Sequence, residues 1–149
     1  MEKNKMTNPG ERLLCEIYKN ANMGEDSLCM LIGKVKDEKM RRDITCQLDT
    51  YTGYAQTAKN KLANMNVKAK ELSPIAKISG EISMAVNTMT DSSAQKLAEL
   101  IIEGSTMGIV TLKKQITAAK NENAPEHIVN FANEVVTFEE NSKIGRAHV

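Results

Sequence analysis

Carboxylates near the middles of the predicted helices are this chain's main stock of side chains able to do chemistry: Glu16 and Glu25, Asp49, Glu99 and Glu103, Glu134 and Glu139. A helical bundle that holds two metal ions takes one Glu from each of two helices and a Glu-x-x-His pair from each of the others, because the i, i+3 spacing turns both ligands inward together. No Glu-x-x-His occurs here. The chain has 2 His. His127, beside Pro125-Glu126 at a predicted helix start, reads as a surface residue at one end of the molecule, and His148 falls in the last residues. A metal site would therefore be built of carboxylates alone, drawn from Glu16, Glu25, Glu103 and Glu134, and would take iron or manganese. Against the apolar seams, Glu16, Asp49 and Glu103 lean outward by about one helical position. Solvated charge is the plainer reading of these carboxylates.

Other constellations are sparse. The chain contains no Ser-His-Asp set, no P-loop and no dinucleotide fingerprint. Its 3 Cys include no Cys-x-x-Cys pair. Cys15 and Cys29 fall on one predicted helix, roughly 21 Å apart along its axis, too far to bond each other. Cys46 could approach Cys29 from the next helix, but the odd count favours buried free thiols. Four glycines, Gly24, Gly53, Gly104 and Gly108, sit inside predicted helices, where each costs about 1 kcal/mol against Ala. Gly104 and Gly108 form a small-xxx-small step. It implies close backbone packing, room for a large neighbour such as Tyr18, Tyr51, Tyr54 or Phe131, or a cavity for a small ligand.

The elements that must position these residues are legible from periodicity. One long helix starts at Asn8-Pro9-Gly10-Glu11, with Asn8 as cap and Pro9 in the first turn. Its apolar seam is Leu14, Ile17, Ala21, Gly24, Leu28, Leu31 and Val35. A short turn near Gly33 and Asp37 sends the second helix back antiparallel over about 38–65, on the seam Ile44, Leu48, Tyr51, Ala55, Ala58, Leu62 and Met65. A shorter helix is predicted to start at Ser73-Pro74, with Ile75, Ile78, Ile82, Val86 and Met89 on one face. A third long helix over about 92–119 carries Leu97, Ile101, Gly104, Gly108, Leu112 and Gln115 or Ile116. The fourth opens at Asn123-Ala124-Pro125-Glu126 and carries Ile128, Phe131 or Ala132, Val135 and Phe138. The short helix spans about 22 Å, and the extended residues before it add about 25 Å. Together they exceed the roughly 40 Å of a long helix. The connection can therefore run the length of the molecule and set the second and third long helices parallel. A plain up-down bundle with the short helix folded back as a lid is the alternative.

Composition narrows the function classes. The hydrophobic fraction is 41% with 3 Tyr, 2 Phe and no Trp, so the core must be aliphatic, and 9 Met supply adaptable filler. With 20 Lys+Arg against 19 Asp+Glu, the net charge of +1 gives no field for a polyanion, and nucleic acid is not an expected partner. No apolar run reaches the length of about 18 residues that a membrane span needs, and MEKNKMTNPGE lacks an apolar signal core. No membrane association is expected, and a cytoplasmic location is.

The runs LLCEIYKNANMGEDSL, IIEGSTMGIV and VVTFEEN, in that order, resemble a family of small bacterial ferritin-like proteins related to the rubrerythrin-type bundle, over about residues 11–141. The resemblance implies an all-α, ferritin-like four-helix bundle with a short extra helix in the crossover, a cytoplasmic location and no settled activity. Where active members carry inward carboxylates and histidines, this chain shows Gln47, Tyr51 and small residues, so no cofactor is expected. The expected function is a non-catalytic structural or protein-interaction module, pairing with itself as a homodimer or with another protein through a helix face. The alternative is a carboxylate-only iron or manganese protein that handles metal or oxidant. Residues 1–8 are expected to be a flexible segment and 9–142 a single bundle domain. Residues 143–149 contain IGRAHV, which resembles one reading frame of a common sequencing-library adapter, and are expected to be a non-native tail.

Overall fold

The computed structural model describes residues 8–67 and 80–142. These form five helices, α1 (Pro9–Ile32), α2 (Glu38–Asn64), α3 (Gly80–Asn87), α4 (Ala94–Asn121) and α5 (Glu126–Glu140), with no strand among the described residues. The expected flexible N-terminal segment, the adapter-like tail and the helix start at Ser73-Pro74 lie outside the described residues, apart from Asn8.

Local chemistry sets most of the helix ends. The Asn8 side chain accepts from the backbone N–H of Gly10 and Glu11, with Pro9 opening α1. Asp37 caps α2 by accepting from Met40 N–H at 2.8 Å. Ser93 accepts from Lys96 N–H at the start of α4, and Asp91 in turn accepts from Ser93 N–H. Both α2 and α4 close on an asparagine in the left-handed region, Asn66 at φ 67° and Asn123 at φ 62°. In each case the next residue bonds back five residues, Val67 N–H to the Leu62 carbonyl and Ala124 N–H to the Ala119 carbonyl. This satisfies carbonyls that a helix end otherwise orphans.

Two buried clusters fix the directions of the helices. One joins Leu13, Leu14 and Ile17 of α1 to Ala58 and Leu62 near the end of α2, Leu112, Ile116 and Ala119 near the end of α4, and Ile128 to Val136 of α5. The other joins Leu28 and Leu31 of α1 to Met40 and Ile44 at the start of α2, Val86 of α3, and Leu97 to Ile101 at the start of α4. Hence α2 and α4 run the same way, and α1 runs opposite to both. Helix α5 begins in the first cluster, and its Phe138 reaches the second, so it runs with α1. An Arg12–Glu122 ion pair joins the start of α1 to the end of α4.

On the four long helices the seams anticipated from periodicity are the buried ones, with Leu48, Met65, Gly24, Gly104, Gly108 and Phe138 half-buried at their margins. Of the short helix's predicted face, Val86 is buried and Met89 half-buried, while Ile75, Ile78 and the Ile82 side chain lie outside the described residues. The thiols are a correction. None of the three is in a disulfide, but only Cys15 is buried; Cys29 and Cys46 are exposed. Cys29 and Cys46 lie beside the seams of their helices, whereas Cys15 joins the first cluster.

Candidate ligand-binding cleft

Against the second apolar cluster, which includes the Tyr51 ring, the helices bring polar side chains together in a layer. Tyr51 of α2 is 2% exposed and Glu139 of α5 is 4% exposed. The Tyr51 hydroxyl donates to Glu139 Oε2 at 2.8 Å. Small residues make this possible. A Cβ on Gly24 of α1 would lie 2.5 Å from Tyr51 Cζ, so only glycine lets the ring lie against α1. A Cβ on Gly108 of α4 would lie 3.0 Å from Glu139 Oε2 and 3.2 Å from Asn20 Nδ2. Phe138 packs edge-on against the Tyr51 ring, with centroids 5.1 Å apart, and holds its other side. Gln47 of α2, 6% exposed, accepts from the Ser142 hydroxyl at 3.0 Å. Asn20 of α1 donates through Nδ2 to the Gly108 carbonyl at 3.0 Å.

A cleft of about 160 Å³ opens beside this layer. One wall is α1, with Glu16, Lys19, Asn20, Met23 and Leu28. The other is α4, with Leu100, Ile101, Gly104, Ser105, Met107 and Gly108. Gln47, Tyr51 and Glu139 form the floor. Most of the lining is apolar, yet three buried polar atoms in it have no hydrogen-bond partner: Asn20 Oδ1, Gln47 Nε2 and Glu139 Oε1. Buried polar atoms in native proteins are nearly always satisfied, so three in one cleft mark it out.

Burial dominates the electrostatics. It pushes the Glu139 carboxyl up to about 7, and the hydrogen bond from Tyr51 offsets only part of that. The Tyr51 phenol is held well above its ordinary range, first by burial and then by the neighbouring Glu139 charge. Tyr51 therefore stays a neutral donor, while Glu139 exchanges its proton near neutrality. At the rim, Lys19 pairs with Glu16 at 3.5 Å.

The carboxylates named from the sequence are dispersed. Glu16 sits half-buried at the cleft rim. Glu25 accepts from the Thr52 hydroxyl at 2.6 Å. Glu103 and Glu134 are exposed on α4 and α5. The described residues contain no group of three or more His, Cys, Asp or Glu arranged to hold a metal ion. Among the described residues only one carboxylate, Glu139, reaches the cleft floor, and that donor set does not fit a two-metal centre. His127 is exposed at the start of α5 and borders a separate shallow groove with Tyr54, Lys61, Phe131 and Glu134. Burial, then the adjoining Glu134 carboxylate, raises the Tyr54 phenol.

Sequence reasoning passed over Asn20, and it left Glu139 among the solvated charges. The signal for Glu139 was present. It falls four residues after Val135 and seven after Ala132, on the same helical stripe. Nothing in local spacing marks Asn20, whose role depends on the approach of α4. Compared with protein-family models, with curated proteins and with solved structures, the chain matches none.

Proposed function

We propose that this chain folds as a ferritin-like four-helix bundle, with α3 as a short extra helix in the crossover from α2 to α4, and acts as a non-catalytic binding module for a small organic molecule. The shared direction of α2 and α4 supports the fold. The observation that carries the function is Glu139, a buried carboxyl group whose Oε1 meets no donor at the floor of a mostly apolar cleft. An unsatisfied buried polar atom costs roughly 1–3 kcal/mol, and each glycine in α4 about 1 kcal/mol more. A chain with only a scaffold role would gain stability by filling the cleft with a large aliphatic residue. Keeping it open at that cost fits a site held ready for a guest. A cavity of roughly this size admits a benzene-sized molecule.

Ligand-observed NMR tests this reading. Saturation should transfer from the protein to benzyl alcohol, and Gly104→Leu, which places a side chain in the cleft, should abolish the transfer while far-ultraviolet circular dichroism stays helical. No transfer to any small aromatic compound would overturn the proposal. Elemental analysis of protein purified without chelator covers the iron or manganese alternative: stoichiometric, tightly held metal would replace the organic-ligand reading. The protein-interaction reading rests on another observation. Ile102, Met107 and Val110 of α4 are 41%, 41% and 51% exposed, and a homodimer through that helix would cover them. Sedimentation velocity on the wild type and on Val110→Lys tests it.

A further inference from the structure

Resting on the reading of the cleft as a ligand site, we propose that the ligand is a small organic cation, a primary amine on a compact apolar body. Its ammonium group would meet Glu139 Oε1 and Asn20 Oδ1, and its body would lie against Met23, Leu100, Ile101 and Met107. The choice follows from the atoms left over. Glu139 Oε2 is taken by the Tyr51 hydroxyl, and Asn20 Nδ2 by the Gly108 carbonyl. With the carboxyl ionised, that leaves Glu139 Oε1 and Asn20 Oδ1, both acceptors, without a donor. The third orphan, Gln47 Nε2, is a donor that lies near the Tyr51 oxygen and so does not ask for a donor from the guest. A guest that satisfies both acceptors must bring N–H or O–H donors, and an ammonium brings three on one atom.

Charge selects the amine over an alcohol. Among the described residues, the groups around Glu139 supply no compensating cation. From α2 it meets Tyr51, with Tyr54 close by, both neutral phenols. From α1 the charged residues lining the cleft are Glu16 and Lys19, which pair with each other at the rim. From α4 the lining is Gly104, Ser105, Gly108 and Thr111 with aliphatic neighbours, and none carries a charge. A buried carboxylate without a counter-charge is expensive, so it takes up a proton; a bound ammonium would supply the missing charge in the proton's place. Binding and proton release are then linked. Below the carboxyl's titration point the guest must displace a proton, and its affinity falls as pH falls.

The test compares three probes of similar shape by isothermal titration calorimetry on the full chain: benzylamine, benzyl alcohol and toluene. At about pH 8 benzylamine should bind at least tenfold more tightly than benzyl alcohol, and toluene should bind weakest. Between about pH 8 and pH 6 the benzylamine affinity should drop about tenfold while that of benzyl alcohol holds, because only the amine competes with a proton on Glu139. Heats measured in buffers of different ionisation enthalpy should show proton release on binding the amine at the lower pH. Glu139→Gln should remove the preference for the amine and keep binding of the alcohol. If that variant fails to fold, the wild-type probe series and pH dependence still decide. Equal affinity for amine and alcohol would overturn the cationic ligand while leaving a ligand-binding cleft. Failure of all three probes to bind would overturn both. A benzylamine affinity independent of pH would remove Glu139 as the counter-charge, and competition by Mn²⁺ would assign the charge site to a metal instead.

Discussion

A carboxyl group whose titration point moves from 4.5 to about 7 on folding makes stability depend on pH, and the direction is fixed. Between those values the folded chain binds more protons than the unfolded chain, so raising the pH favours unfolding. The protonated group does not oppose folding at about pH 4.5; above pH 7 the full penalty, about 3 kcal/mol at 1.36 kcal/mol per pH unit, is in force. Urea denaturation should therefore show wild-type stability declining from about pH 5 to pH 7.5 through this group. Glu139→Gln, which retains an acceptor for Tyr51 and cannot ionise, should flatten that decline. Parallel curves for the two proteins would mean that Glu139 is solvated in the folded state. This residue also marks where sequence reading stopped. Periodicity puts Glu139 and Phe138 on one apolar stripe, yet the residue's chemical type argued for solvent. The type misled because Tyr51 supplies a donor from another helix, and no local spacing reveals that.

The helices carry a paired test of why glycine occurs inside them. Gly24 of α1 faces the Tyr51 ring, and an added methyl would sit 2.5 Å from Cζ. That ring is pinned by Glu139 and Phe138, so it cannot swing aside without breaking the polar layer. Gly24→Ala should lower stability by about 1–3 kcal/mol through overpacking, after absorbing its gain in helix propensity. Gly53 of α2 is exposed, with nothing within 4 Å of the added methyl. Gly53→Ala should raise stability by up to about 1 kcal/mol. Thermal melts of the two variants should shift in opposite directions; equal shifts would show that Tyr51 does not rest on α1. Both glycines looked alike in the sequence, as odd interior choices on long helices. What separates them is whether a neighbour closes in, which is tertiary information. By contrast, the helix start at Asn8 was readable because capping is local chemistry. The left-handed asparagines Asn66 and Asn123 gave no comparable warning, since Asn also caps helix starts and decorates surfaces.

At the scale of the whole molecule, a polar layer of Asn20, Gln47, Tyr51 and Glu139 is set into a core of two apolar clusters, the second of which includes the Tyr51 ring. The direction of the helices was legible because lengths and turns permit few ways to bring the chain back. The interruption of the core was not, because it depends on how far α4 stands from α1. If the layer serves binding, removing it as a unit should help stability and abolish function, while breaking it halfway should harm both. Tyr51→Phe alone deprives buried Glu139 Oε2 of its donor and should cost about 1–3 kcal/mol. Adding Glu139→Leu removes the stranded carboxyl group and restores apolar contact across the layer. The double variant should recover that loss and equal or exceed wild-type stability at neutral pH, as replacement of buried polar pairs by hydrophobic residues often does. The resulting double-mutant cycle should therefore show strong coupling between positions 51 and 139. The double variant should also bind no small amine, since neither the hydroxyl nor the carboxyl group remains. A double variant less stable than Tyr51→Phe alone would show that the layer is structural, holding α2 and α5 in register, and that the cleft beside it is incidental to what the protein does.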